Sequence, residues 1–363
     1  MAVGLPLKTT YANGDVYSAS DVNDTNGTIN LLQTSTLSSQ AGKNGVINGG
    51  YDVWARGTSV SVSASSAPYT TDRWQANVGA NQATTVSRQA TGDTTNLPNI
   101  QYCARFQRNS GQTGTGSTYF TQSLESVNSI PFAGKAVTVS FYARRGSNYS
   151  ATSNALTAIL ASGTGTDQNI NTGFTGQATT ATSTVTLTTT WQRFTMTGTV
   201  ASTATQLGVY FTFTPTGTAS TNDYYEITGV QLELGSYATT FSRAGGTIQG
   251  ELAACQRYYW RSTAGAAYQS FAAGQAGSTT VGFMQCANPV PMRVAPTSID
   301  FSTVALSLSA FTVQAVTALT IDQAGSVSSL LRATVASGLS AGNATVLIAN
   351  NSTSAYVGLN AEL

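Results

Sequence analysis

Between residues 46 and 245 the chain alternates apolar and polar positions with a period of two. Val137, Val139 and Phe141 fall on one side, with Thr138, Ser140 and Tyr142 opposite. Phe194 and Met196 alternate against Arg193, Thr195 and Thr197, and Val209, Phe211 and Phe213 against Tyr210 and Thr212. This period belongs to strands with one face on a core. It predicts strands at 46–53, 72–78, 84–89, 102–107, 119–124, 136–143, 156–160, 185–187, 191–200, 206–213 and 224–234. Gly-rich turns separate them, so the expected fold is an antiparallel jelly-roll β-sandwich spanning 46–245. The chain as a whole is expected to be all-β.

The pattern changes at both ends. Residues 1–45 read as a leader. Ser18 stands three residues before Asp21, a capping-box spacing that predicts a helix from Ser18 to about Ser39. Its apolar positions include Val22, Ile29, Leu31, Leu32 and Leu37. Thr25 and Gly27 weaken the pattern, so this helix is marginal alone. Ile29 and Leu32 are therefore expected at a subunit or domain interface. The run from Asp21 to Gly27 resembles a calcium loop, but Leu32 stands where the bidentate Glu is needed, so no metal is expected there. Residues 246–363 read as a smaller β-rich knob. A helix is expected over 248–258, then strands near 280–288, 298–301, 311–316, 319–322, 330–335 and 355–363. Pro289 and Pro291 exclude a central strand between them. The knob is rich in Ala, Ser and Gly, which predicts a thin core that oligomerisation would complete.

Composition sharpens this picture. Of the 363 residues only 9% are charged, against about 25% in an average soluble domain. Ser, Thr, Ala, Gly and Asn replace them, giving an uncharged, hydrogen-bonding surface. Lysine occurs only at Lys8, Lys43 and Lys135, and the net charge is +1. Nucleic-acid binding needs clustered positive charge and is not expected. No run of 18 apolar residues occurs, so no membrane insertion by a helix is expected, and the first residues lack the pattern of a secretion signal. Cys103, Cys255 and Cys286 are an odd number without metal-site spacing, and buried thiols are expected.

Several motifs, in order, carry a resemblance. They are NGGYDVWARGTS, YTTDRW, VTVSFYARR, WQRFTMTGTV, QLGVYFTFT and YYEITGVQLELGS, followed by CQRYY, PVPMRVAPT and a final NAEL. Together they resemble bacteriophage tail-fibre and appendage proteins with a carbohydrate-binding-module-like jelly roll. The segment TTYANGDVYSASDVNDTNGTIN resembles their virion-attachment leaders. The resemblance implies a structural virion subunit, a homotrimer, joined to other virion proteins through residues 1–45 and contributing to host attachment. Host cell-surface polysaccharide is the implied partner. The alternatives are a capsule-depolymerising tailspike and a head or collar fibre without ligand.

The chemistry available supports binding over catalysis. The chain has no histidine, which excludes Ser-His-Asp and Cys-His catalysis. No phosphate loop, GxSxG or HExxH occurs, and no cofactor is expected. A glycosidase-type carboxylate pair would have to come from Asp72, Glu125, Asp223, Glu226 and Glu233. Glu226 and Glu233 are expected on opposite faces of one strand, about 23 Å apart at roughly 3.3 Å per residue. No enzyme is expected. Sugar binding needs aromatic faces and short polar side chains. Trp54, Tyr69, Trp74, Tyr119, Tyr142, Tyr149 and Tyr210 are available. Trp54, Trp74 and Trp191 read as core, and Tyr69, Tyr119 and Tyr149 are the ligand candidates. Asp72 and Arg73 read as a structural pair. Tyr258, Tyr259 and Trp260 read as a plug between domains or subunits, with Arg257 and Arg293 bonding carbonyls there.

Overall fold

The computed structural model describes residues 42–97, 99–308 and 312–363. The sandwich strands are β1 (Ser59–Ser63), β2 (Gln75–Val78), β3 (Ala83–Ala90), β4 (Tyr102–Arg108), β5 (Thr118–Ser123), β6 (Ala136–Arg145), β7 (Ala155–Gly163), β8 (Ala178–Thr186), β9 (Gln192–Thr199), β10 (Gln206–Phe213) and β11 (Tyr224–Leu234). They form a six-stranded sheet, β1-β3-β4-β11-β6-β9, and a five-stranded sheet, β2-β5-β10-β7-β8. All pairings are antiparallel. Inward residues of both sheets meet in one core. Trp74 stacks on Phe120 at 4.9 Å and Phe141 meets Phe211 edge-on at 4.9 Å. Alternation in the sequence is thus converted directly into two packed faces.

One expected strand is absent. Residues 46–53 form a tight buried loop with Asn48 and Tyr51 in left-handed conformation. The Asn48 side chain replaces a strand partner: its amide donates to the Val53 carbonyl at 2.8 Å and its oxygen accepts from the Val53 amide at 3.0 Å. The apolar residues that suggested a strand are buried by the loop itself.

A second departure lies in β11. Its register with β6 shifts between Thr228 and Gln231, where Gly229 sits at φ +60°. This bulge restores the inward direction at Val230 and Leu232 after Tyr225 and Ile227. Glu226 and Glu233 therefore share the outer face, contrary to a plain count along the strand.

A short helix, α1 (Ser126–Ser129), follows β5. Helix α2 (Ile248–Gln256) follows the sandwich. Its cap, Thr247, accepts from the Gly250 amide at 3.1 Å. Glu251 in its first turn is buried and accepts from the backbone amides of Asn48 and, at 2.8 Å, Gly245. The helix is thereby tied to the buried loop of the sandwich.

The distal strands are β12 (Tyr259–Thr263), β13 (Ser270–Ala276), β14 (Val281–Ala287), β15 (Ser298–Ser302), β16 (Val304–Leu308), β17 (Val313–Ala324), β18 (Ser328–Val335), β19 (Ala344–Ala349) and β20 (Tyr356–Asn360). Six of them close a barrel in the order β13-β14-β18-β17-β16-β19, beside a three-stranded sheet β12-β20-β15. Met284, Leu306, Leu331 and Leu347 are fully buried inside, and Trp260, Val357 and Leu359 join the same core. Closure answers the shortage of large side chains, because a barrel has no open edges and needs little volume to fill it. No strand forms at Pro289–Pro291.

Candidate functional site

The outer face of the five-stranded sheet is built by the same alternation that fills the core. Phe120, Val209 and Phe211 point inward, so Tyr119, Thr121, Tyr210 and Thr212 point out. The pairings set Asn77 opposite Tyr119, and Thr212 between Tyr119 and Thr157. Tyr210 lies between Thr121 and Ile159. The Tyr119 and Tyr210 ring centroids are 6.3 Å apart, tilted by 54°. Tyr119 is 37% exposed. Burial, with Tyr119 as a lesser neighbour, raises the Tyr210 hydroxyl above its ordinary pKa, so this phenol is a neutral donor.

The loop after β7 frames one end of this face. Its Ile170 and Phe174 pack on Ala161 and Tyr210. Gly208 on β10 makes room: a Cβ there would lie 2.6 Å from Ile170 Cδ1. The Asn171 amide donates to Gln75 Oε1 at 2.8 Å and to Thr121 Oγ1 at 2.9 Å, and the Asn169 amide donates to Gln75 Oε1 at 2.8 Å. On the far side Thr157 and Thr184 share a hydroxyl contact of 2.9 Å. Two aromatic rings thus lie among hydroxyls and amides, with no charged side chain among the face residues named.

The structure divides the expected ligand residues. Tyr119 stands on the open face. Tyr149 does not lie in an open loop: it is 6% exposed, packs against Phe213 at 4.9 Å and donates its hydroxyl to the Ala155 carbonyl at 2.9 Å. Its ring has no surface for a ligand. Tyr69 is half-buried at the junction with the barrel, where its hydroxyl donates to the Leu363 carbonyl at 3.1 Å and Arg56 lies 5.1 Å from its ring. Tyr210 joins Tyr119 instead, and its alternation with Val209 and Phe211 is the signal that places it. Nothing in the sequence marks Gln75, Asn169 and Asn171, which long-range folding brings together. Trp54, Trp74 and Trp191 are buried.

The carboxylates are tied into structural pairs. Asp223 and Arg108 are fully buried and bond at 2.8 Å. Glu226 on the outer face of the six-stranded sheet lies between Arg105 and Arg144, at 2.5 Å from each. Glu125 accepts from Arg257 at 2.8 Å and from the Tyr258 hydroxyl at 2.8 Å. Glu233 accepts from the Thr239 backbone amide at 2.9 Å and from its hydroxyl at 2.6 Å. Asp72 and Arg73 do not pair with each other. Asp72 accepts from the Ala55 amide at 2.6 Å, whereas Arg73, in left-handed conformation, reaches Glu362.

That reach belongs to the junction of the two units. Arg73 also lies 3.5 Å over the Tyr258 ring, and Arg56 3.5 Å over that of Tyr259. Arg293 donates to the Ala361 and Glu362 carbonyls, each at 2.9 Å. Trp260 faces the barrel core instead. Ile29 and Leu32 lie outside the described residues. All three cysteines are free and buried. Among the described residues no cluster of His, Cys, Asp or Glu could hold a metal ion.

No family model matches this chain, and no curated protein matches it. Several solved structures resemble parts of it. A CBM4 module is 18% identical, with a TM-score of 0.29, over 52% of this chain and 98% of its own. The CBM22-1 xylan-binding domain of Paenibacillus barcinonensis Xyn10C is 14% identical, with a TM-score of 0.32, over 55% and 99%. A Stig cyclase from Fischerella sp. TAU is 11% identical, with a TM-score of 0.34, over 55% and 100%. Scores this low transfer neither ligand nor activity.

Proposed function

We propose that this chain is a glycan-binding protein whose ligand lies across the outer face of the five-stranded sheet. The observation that carries the reading is the Tyr119–Tyr210 pair, set among uncharged hydroxyl and amide side chains. Aromatic faces accept the C–H surface of a sugar ring, and neutral donors and acceptors match its hydroxyls. An open sheet face suits a polymer, which enters along the face rather than end-on. Binding at such a face is weak per site, and copies on one particle raise it by avidity.

The finer reading is a subunit of a bacteriophage fibre or appendage, trimeric, on the virion, joined to other virion proteins through residues 1–45 and holding a host-surface polysaccharide. It rests on the ordered sequence motifs from NGGYDVWARGTS to NAEL. Electron microscopy of virions with antibody against the chain tests the location, and the mass of the intact assembly tests the trimer. Binding without cleavage is the favoured chemistry, because the five acidic candidates are each engaged in the hydrogen bonds described above.

Binding is tested on a glycan array with the wild-type chain, Tyr119→Ala and Tyr210→Ala. Each substitution is expected to weaken binding about tenfold, equivalent to about 1.4 kcal/mol. Equal binding by all three proteins would remove the sheet face as the site. New reducing ends on incubation with capsule polysaccharide would replace binding by hydrolysis.

A further inference from the structure

A groove of about 1240 Å³ runs between the start of the described chain, α1, the segment after β11, and α2. It lies apart from the Tyr119–Tyr210 face. Its rim carries Val127, Leu234 and Tyr237, exposed at 62%, 56% and 84%. Ile130, beside the lining Pro131, is 53% exposed. Solitary exposed apolar side chains are ordinary, but three lining one concavity, with Ile130 next to the lining Pro131 in the chain, mark a surface meant to be covered.

The charged groups of the groove are already satisfied. Lys43 donates to the Thr240 carbonyl at 3.0 Å and to the Thr239 hydroxyl at 2.5 Å. Glu125 holds Arg257 and Tyr258, and Glu233 holds Gln231 and Thr239. An occupant therefore needs apolar side chains and no charge. Residues 25–41, which lie outside the described residues, contain Ile29, Leu31, Leu32 and Leu37 and no Asp, Glu, Lys or Arg. They directly precede the first described residue, Gly42. Gly42 and Lys43 line the groove, and the Gly42 amide is fixed to the Ala244 carbonyl at 3.0 Å. Leu37 is five residues from that anchor, within about 17 Å of extended chain. A tether this short gives the chain's own segment an effective concentration in the millimolar range, which a separate partner rarely matches.

We propose that the groove is the docking site of residues 25–41 of the same chain, seated through Ile29, Leu31, Leu32 and Leu37. The test uses the full chain with paired cysteines, Leu32→Cys with Tyr237→Cys and Leu37→Cys with Val127→Cys. The native thiols are buried and do not compete. Oxidation is expected to join at least one pair within a single chain. Failure of both pairs to join, or a product with the mass of two chains, overturns the proposal. A second measurement guards against misplacement of one pair. Leu31→Asp with Leu32→Asp is expected to raise the fluorescence of an apolar-surface dye several-fold while near-ultraviolet dichroism shows an intact sandwich. Unchanged dye fluorescence overturns the proposal as well.

Discussion

Asp72 gives the sandwich a pH dependence in the acid range. Burial pushes its carboxyl up to about 6, against an ordinary value of 3.8; the nearby Arg56, the bond from the Ala55 amide and its own backbone amide oppose this, and the Glu362 carboxylate adds to it. The folded state therefore holds a proton that the unfolded chain has released between about pH 4 and 6. Its stabilising contribution is complete below pH 4 and is lost as pH rises through 6. Asp72→Asn keeps an acceptor for Ala55 and cannot ionise. Chemical denaturation of the variant should show a flatter profile between pH 4 and 7, with a gain at pH 7 on the order of 2–3 kcal/mol. A profile parallel to wild type would refute this assignment. Arg108 makes the opposite case. It holds Asp223 and also the Gly114 carbonyl at 2.8 Å and Ser150 Oγ at 3.0 Å. Arg108→Met would leave Asp223 buried without its cation, and a loss of about 3–5 kcal/mol at neutral pH is expected. Urea unfolding measures it, and a loss below about 1 kcal/mol would show that water or protonation relieves Asp223.

At the scale of the element, the bulge in β11 decides which side chains reach the surface. Gly229 holds φ +60°, and a Cβ there would lie 2.9 Å from both Ile100 Cδ1 and Tyr142 Cδ2. Gly229→Val combines backbone strain with crowding, so a cost of about 2–4 kcal/mol is expected. If the strand relaxed by losing its bulge, Gln231 and Glu233 would turn toward the core, which a sheet with one buried face resists. Thermal unfolding of the variant checks the cost, and an unchanged midpoint would show that the bulge tolerates a side chain. The same bulge shows where reading the sequence stops. Strands with bulky alternation, β6, β9, β10 and β11, were legible because one face had to be apolar. β1, β13, β16 and β19 were not, and of β8 only the end at Val185 was, because Ser, Thr, Gly and Ala dominate β1, β8 and β13, and β16 and β19 are short apolar runs without clear alternation. The loop at 46–53 misled for the converse reason, since its apolar residues are buried without a ladder. Of the candidate site, Tyr119 and Tyr210 follow from alternation, whereas Gln75 and Asn171 meet only through tertiary structure.

For the whole molecule, the coupling between sandwich and barrel rests on a few buried charges. Glu362 lies between Arg56 and Arg73, and Arg73 is 2% exposed. Tyr69 and Asn169 of the sandwich each donate to the Leu363 carbonyl at 3.1 Å. Each unit also has its own core, so neither needs the other to bury its apolar surface. Glu362→Ala would leave Arg73 buried without a carboxylate. That penalty disappears if the units part and water reaches the guanidinium, so it falls on the joined state alone. Calorimetry of the wild-type chain is expected to show one cooperative transition. The variant is expected to show two, because the barrel and the sandwich would then unfold as separate cores. A single transition moved to lower temperature would mean that the remaining contacts, among them Arg257 with Glu125 at 2.8 Å, Arg293 with Asp167 at 3.3 Å and the rings of Tyr258 and Tyr259, suffice to couple them. Glycan binding provides an independent readout. The Tyr119–Tyr210 face lies wholly on the sandwich, so Glu362→Ala should bind glycan at 25 °C with unchanged affinity. A matching loss of affinity would place the barrel, or the junction it shares with Tyr69, within the binding surface.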